Sequence, residues 1–266
     1  MTLPPVAARP PRPSSLRTIG ALVLREMSVT NGRTALGYLW EVMEPVAGIL
    51  VLTVAMTVVF RAPPLGSNFA LFYASGLLPF IAVVDTANKV ANALRAARPL
   101  LAYPGVTWLD AILARFLLSV LTKTAVTAGV LAGIVVLFGL SPLFDPVALV
   151  AALAAAFVLA LTIGLANCVL FHLFPAWEKA WAVVNRPLFL VSAVIFTFES
   201  VPEPMRGWLW WNPLVHVVAM MRHGIYPTYK WDYAEPLYLA GIAAVLVPVS
   251  LFVLRRHWRR LVNPDG

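Results

Sequence analysis

Val147–Phe174 reads VALVAALAAAFVLALTIGLANCVLFHLF, twenty-eight residues without one Asp, Glu, Lys or Arg. A helix crosses a hydrocarbon core of about 30 Å with roughly 20 apolar residues, so this stretch spans with length to spare and implies tilt or extension beyond the core. Five further stretches resemble it: Val42–Phe60, Phe69–Asn88, Ile112–Gly139, Ala180–Phe198 and Leu237–Leu254. Together they fill most of the 266 residues, and the chain is 61% hydrophobic and only 12% charged. A water-soluble domain of that balance has too little polar surface to cover itself. The expectation is an all-α membrane protein of six transmembrane helices, with almost no chain left for a soluble catalytic domain.

The net charge is +8, and its placement orients the spans. The segment before the first span, the second and fourth connections and the tail hold thirteen cations, among them Arg9, Arg12, Arg17, Arg25, Arg33, Lys89, Arg95, Arg98, Lys179, Arg255, Arg256, Arg259 and Arg260. The other side holds four: Arg61, Arg206, Arg222 and Lys230. The positive-inside rule puts both termini and the even-numbered connections in the cytoplasm. Cations that flank spans, without a separate basic patch, argue against nucleic acid as a partner. The single cysteine, Cys168, permits no intramolecular disulfide and reads as a small packing residue.

Outside the spans the organisation is simple. Residues 1–13 carry prolines at 4, 5, 10, 11 and 13 and read as an extended, disordered tail with no apolar signal-peptide core. Residues 14–30 place Leu16, Ile19, Val23 and Met27 on one helical face, with Ser14 or Ser15 as cap. That pattern suits an interfacial helix on the membrane surface, ahead of an amphipathic helix packed on protein. A transmembrane domain over 31–258 and a cytoplasmic tail over 259–266 complete the division. Pro45 is expected at the start of the first span, with Glu41 and Glu44 just before it favouring the helix dipole. Between the last two spans, Glu199–Tyr233 mixes Trp208, Trp210, Trp211, Tyr226, Tyr229 and Trp231 with four prolines, in apolar pieces too short to cross. Two short re-entrant or interfacial helices on the outer side fit it best.

The residues that carry chemistry are few. There is no Walker A loop, no serine nucleophile elbow and no acidic cluster of the kind a membrane transferase needs, and the scattered histidines, His216 and His223 among them, do not form a metal site. Ionisable residues inside spans are costly and mark function by default. Asp85 and Arg115 lie at matching depth on consecutive spans and are expected to form a structural ion pair. Lys123 and Arg186 lie deeper; either they line a pathway for an anionic substrate, or they are paired or snorkel at helix ends. In the second connection, Val90, Leu94, Ala97 and Leu101 make an apolar stripe with Arg95 and Arg98 off it. Val90–Arg98 is expected to dock a soluble partner. The outer aromatics Trp208, Trp210, Trp211 and Tyr226 suit an interfacial belt or the faces of sugar rings.

At the first span the residues become specific. Gly32-Arg33-Thr34-Ala35-Leu36-Gly37-Tyr38-Leu39-Trp40, with Pro45 following, resembles the opening signature of type-2 ABC exporter permeases. Asn212-Pro213-Leu214-Val215-His216, followed by Arg222, is similar to a segment of the capsule-polysaccharide and O-antigen branch. The likeness covers roughly 15–260 and the Leu-Gly-Tyr-Leu-Trp block points to the polysaccharide branch; Ala219 departs from it, where many relatives carry a glutamate. The resemblance implies a transporter subunit of the bacterial inner membrane, not an enzyme. Two copies would form the channel, and two separate ABC ATPase chains would bind ATP and magnesium, with no cofactor on this chain. The cargo would be a lipid-linked, acidic capsular glycan, with a periplasm-spanning export partner. Tyr38 and Trp40 would join the substrate pathway. The rival readings are an O-antigen or teichoic acid exporter, a drug or lipid exporter of the same fold, and a membrane-embedded glycan transferase.

Overall fold

The computed structural model describes residues 15–31, 36–101 and 105–262. The described residues are all helix and connection, with no strand. In chain order the helices are α1 Ser15–Asn31, α2 Leu36–Val59, α3 Phe69–Ala91, α4 Ala93–Ala97, α5 Trp108–Phe138, α6 Pro146–Leu173, α7 Pro175–Leu190, α8 Met205–Trp210, α9 Pro213–Ile225 and α10 Pro236–Val262. The proline tail, Ser14 and the Gly32–Ala35 part of the signature lie outside the described residues, as does the side chain of Tyr38.

Local sequence sets the ends of the long helices. Asn68 accepts the Leu71 amide at the start of α3. Thr107 and Asp110 form a reciprocal capping box on α5, which stops at Gly139 with φ +59°, a value glycine reaches without a Cβ penalty. Asp145 accepts the amides of Val147 and Ala148, with Pro146 in the first turn of α6. Asn212 caps α9, with Pro213 next.

α3 is the centre of the bundle. Phe72, Ala74, Ala87 and Val90 on it are fully buried, and α2, α5, α6 and α9 pack around it. Its closest partner is α6, through a ladder of small residues four apart: Ala152, Ala156, Ala160, Gly164 and Cys168, all buried. In lipid, helices associate by close packing more than by a hydrophobic driving force, so small residues at the seam set how near two backbones come. A Cβ on Gly164 would lie 2.6 Å from Val90 Cβ and 2.9 Å from the Ala87 carbonyl. Gly76 likewise admits the backbone of Val194.

Among the described residues, five helices are long and apolar enough to cross a membrane: Leu39–Val59, Phe69–Ala91, Trp108–Phe138, Pro146–Leu173 and Pro236–His257. The expected continuous span Ala180–Phe198 is different. α7 starts earlier, at Pro175, and ends at Leu190, after which the chain runs without helix to Thr197 through Ala193 at φ +54°. Arg222 draws two carbonyls of this segment out of any helical pattern, as described below. A second correction concerns the first span. α2 begins at Leu36, so Pro45 lies inside it and Glu41 and Glu44 are not in its first turn. α1 packs along α5 with Thr18 and Leu22 buried, while of the expected apolar stripe Leu16 and Met27 are exposed and Ile19 and Val23 half-buried.

Candidate functional site

The end of the bundle that carries α1, α4 and the α6–α7 junction also carries Lys89, Arg95, Arg98, Lys179, Arg255 and Arg256; it is the basic end. Just inside it lies a network of charges. Lys123 of α5 has 3% of its side chain exposed, and its Nζ meets Asp85 of α3 at 2.5 Å and Glu41 of α2 at 2.7 Å. Lys89 of α3 donates to the other oxygen of Glu41 at 2.7 Å. Two cations and two carboxylates therefore neutralise one another across three helices, which is the condition for keeping them away from water. Beside them Thr86 and Ser119 share a buried hydroxyl bond of 2.8 Å between α3 and α5.

The expected Asp85–Arg115 pair does not form. Arg115 bonds Glu26 of α1, and Asp85 bonds Lys123. The pair fails on depth: Arg115, Ser119 and Lys123 follow one another at four-residue steps along one face of α5, and the Thr86–Ser119 bond sets α3 so that neighbouring Asp85 reaches Lys123, two turns deeper than Arg115. Arg115 faces α1. Lys123 is thus an interhelix tie and not an open cationic lining. Arg186 differs: it is exposed on α7 and makes no ion pair among the described residues. Trp40 is exposed near the start of α2.

The α4 region docks inward by its apolar residues. Val90, Ala93 and Leu94 are fully buried against Ile112, Leu165, Cys168 and Leu254. Arg98 is exposed, but Arg95 is already engaged in a two-pronged bond to Glu178 of α7, at 2.9 and 3.0 Å. The guanidinium holds the Glu178 carboxyl below its ordinary range, and the carboxylate raises Arg95 in return.

At the opposite end the Asn-Pro segment has a physical account. Asn212 caps α9 with its Oδ1 and donates from Nδ2 to the Val191 carbonyl and Ser192 hydroxyl. His216 accepts the Glu235 amide at Nδ1, so its proton sits on Nε2 and is donated to the Trp210 carbonyl. Burial pushes its pKa down, which favours that neutral form. Arg222, fully buried, donates to the carbonyls of Phe196 and Val194 at 2.8 and 3.0 Å and lies 4.6 Å above the Phe72 ring. It therefore fastens α9 to the non-helical continuation of α7. Close by, Tyr229 bonds Glu199 and Tyr233. Of the four outer aromatics, Trp208 and Trp211 are exposed, whereas Trp210 is packed on Tyr238 and donates to the Tyr233 carbonyl. Tyr226 packs at Gly66, where φ is +75°. Sequence reasoning missed Glu26 and Glu41 as partners, and missed Arg222 as a latch. The one signal available was its place ten residues after Asn212 in the same motif.

The sequence profile of the ABC-2 type transporter family matches residues 17–226, most of the chain. The chain belongs to the ABC-2 type transporter family. Membership makes it the membrane subunit of an ABC transporter system that includes an ATPase partner. Among curated relatives, this ABC-2 chain is 30% identical over 238 residues to the polysialic acid transport protein KpsM of Escherichia coli, covering 90% of this chain and 92% of that protein. It is 28% identical over 242 residues to the capsule polysaccharide export inner-membrane protein CtrC of Neisseria meningitidis, covering 90% and 91%. Against the capsule polysaccharide export inner-membrane protein BexB of Haemophilus influenzae the identity is 26% over 250 residues, covering 94% of each.

Proposed function

We propose that this chain is the transmembrane subunit of an ATP-driven exporter that carries a lipid-linked, acidic capsular polysaccharide across the bacterial inner membrane. The observation that carries the reading is the match to relatives named for polysialic acid transport and capsule polysaccharide export along nine-tenths of both chains. The Leu-Gly-Tyr-Leu-Trp block at 36–40 supports the same branch. Two copies form the pathway, two ATPase chains bind ATP and magnesium below it, and a periplasm-spanning partner receives the glycan. This chain itself holds no cofactor.

The basic end faces the cytoplasm by the positive-inside rule. α7 with residues 191–197 makes the sixth crossing, and α8–α9 form a re-entrant pair at the periplasmic side. Arg186, exposed in the second half of α7, meets the acidic sugars, and Trp40, Trp208 and Trp211 flank the route. Arg98 and the exposed edge of α4 dock on the ATPase, while the Arg95–Glu178 fork carries motion of α4 to α7. Deleting the chain should leave lipid-linked glycan inside the cell, recoverable by mass analysis of the membrane fraction, with none at the surface. Restoring the chain should return it there. Normal surface glycan in the deletion strain would overturn the reading.

A further inference from the structure

α2 touches α5 only sparsely, and the gap between them is a continuous track. At its basic end is a polar cavity of about 260 Å³ lined by Glu26, Glu41, Lys89, Arg115 and Thr122, among others. Glu41 and Thr122 also line an apolar groove of about 250 Å³ that runs past Ala125 and Gly129 to Val130. Val130 in turn lines a third hollow of about 310 Å³ that reaches Thr53 and Val54 of α2. The track thus follows α2 from Glu41 to Thr53, about 18 Å at 1.5 Å per residue. That is close to the depth of one leaflet, half of a core about 30 Å thick.

We infer that the α2–α5 seam holds a zwitterionic glycerophospholipid, with its headgroup in the polar cavity and one acyl chain along the groove. The charges suit such a headgroup. Among the bonds described, Lys89 spends one N–H on Glu41 and Arg115 one on Glu26, so each keeps donors for phosphate oxygens. Glu26 and Glu41 complement an ammonium on the same headgroup. Below them the walls are apolar, as an acyl chain requires. The lipid bridges α1, α2 and α5, the helices that the Glu26–Arg115 and Glu41–Lys123 pairs also tie. The inference requires only a membrane-embedded chain and stands apart from the identity of the exported cargo.

Gly129 allows a direct test, because a Cβ there meets nothing within 4 Å. Gly129→Leu fills the groove without a clash in the protein, and Ala128→Leu, an exposed position on another face of α5, is the control. The full complex with its ATPase is purified in mild detergent, and retained phospholipid per chain is counted by native mass spectrometry. The wild type and Ala128→Leu should retain phosphatidylethanolamine over phosphatidylglycerol. Gly129→Leu should lower retention by about tenfold or more, and Arg115→Gln or Lys89→Gln should lower it and erase the headgroup preference. Repeating the count in cells unable to make the glycan separates the sources. Retention there identifies a resident membrane lipid and supports the site; loss there makes the bound lipid part of the cargo and overturns it. Equal retention by Gly129→Leu and Ala128→Leu, no retained lipid, or disulfide crosslinks that place a second copy in the seam would overturn it. Normal surface glycan in the deletion strain would count against the cargo assignment and leave this site standing.

Discussion

Removing the ammonium of Lys123 is the sharpest perturbation available in the charge network. In Lys123→Met the half-buried Asp85 loses its ion-pair partner, while Glu41 keeps Lys89. Stranding one buried charge costs about 3–5 kcal/mol. Asp85 keeps 28% of its side chain exposed, which puts the expectation near the lower end, at about 3 kcal/mol. Asp85→Asn should cost less, about 1–2 kcal/mol, since Lys123 retains Glu41. The double variant strands nothing and should fall short of the sum by about 1–2 kcal/mol. Unfolding by graded SDS in mixed micelles, followed by tryptophan fluorescence, measures all three. As a contrast cycle, Asp85→Asn with Arg115→Gln should be additive within about 0.5 kcal/mol, because those residues have different partners. Additive losses for Lys123 with Asp85, or a cost below about 1 kcal/mol for Lys123→Met, would refute the reasoning.

Gly164→Leu drives a side chain into Val90 and should cost about 1–3 kcal/mol in the same assay, where Gly133→Leu, in open space, should cost little. Arg222→Met leaves the carbonyls of Val194 and Phe196 without donors and should lower stability by about 2–4 kcal/mol, with limited proteolysis opening first between 191 and 204. The Arg95–Glu178 fork is largely exposed and is worth at most about 1 kcal/mol. Because the Glu178 pKa is lowered on folding, that contribution is present above its ordinary value of 4.5 and fades as pH falls below it, so Glu178→Gln should flatten the acid limb of the unfolding curve. Arg98→Glu should weaken co-purification of the ATPase while the membrane-inserted amount of the chain stays constant.

Helix class, span positions and the cation asymmetry were legible because lipid demands long apolar runs and internal backbone pairing. The α7 region was not. Its apolar run from Ala180 to Phe198 has the length of a span, and nothing in the run itself announces that Val194 and Phe196 turn their carbonyls to an arginine twenty-odd residues later. The ion pairs failed for a related reason. Residue number orders Arg115 before the deeper Lys123 along α5, but the offset of α3 against α5 that brings Asp85 level with Lys123 is a packing outcome. The arrival of α1 and α2 with Glu26 and Glu41 is another, and one-dimensional spacing fixes neither. The small-residue ladder from Ala152 to Cys168 was readable at a period of four, hidden by the uniform hydrophobicity of α6.

The most direct test of the account is transport in a sealed system. The chain and its ATPase are reconstituted together in proteoliposomes loaded with lipid-linked glycan on the ATPase-facing leaflet, and glycan exposure on the other leaflet is followed by digestion with a glycan-specific hydrolase. The account expects glycan to cross only when ATP and magnesium are supplied, and not when the ATPase is present without this chain. A chain that binds the ATPase and supports hydrolysis yet leaves the glycan on its original leaflet would contradict it.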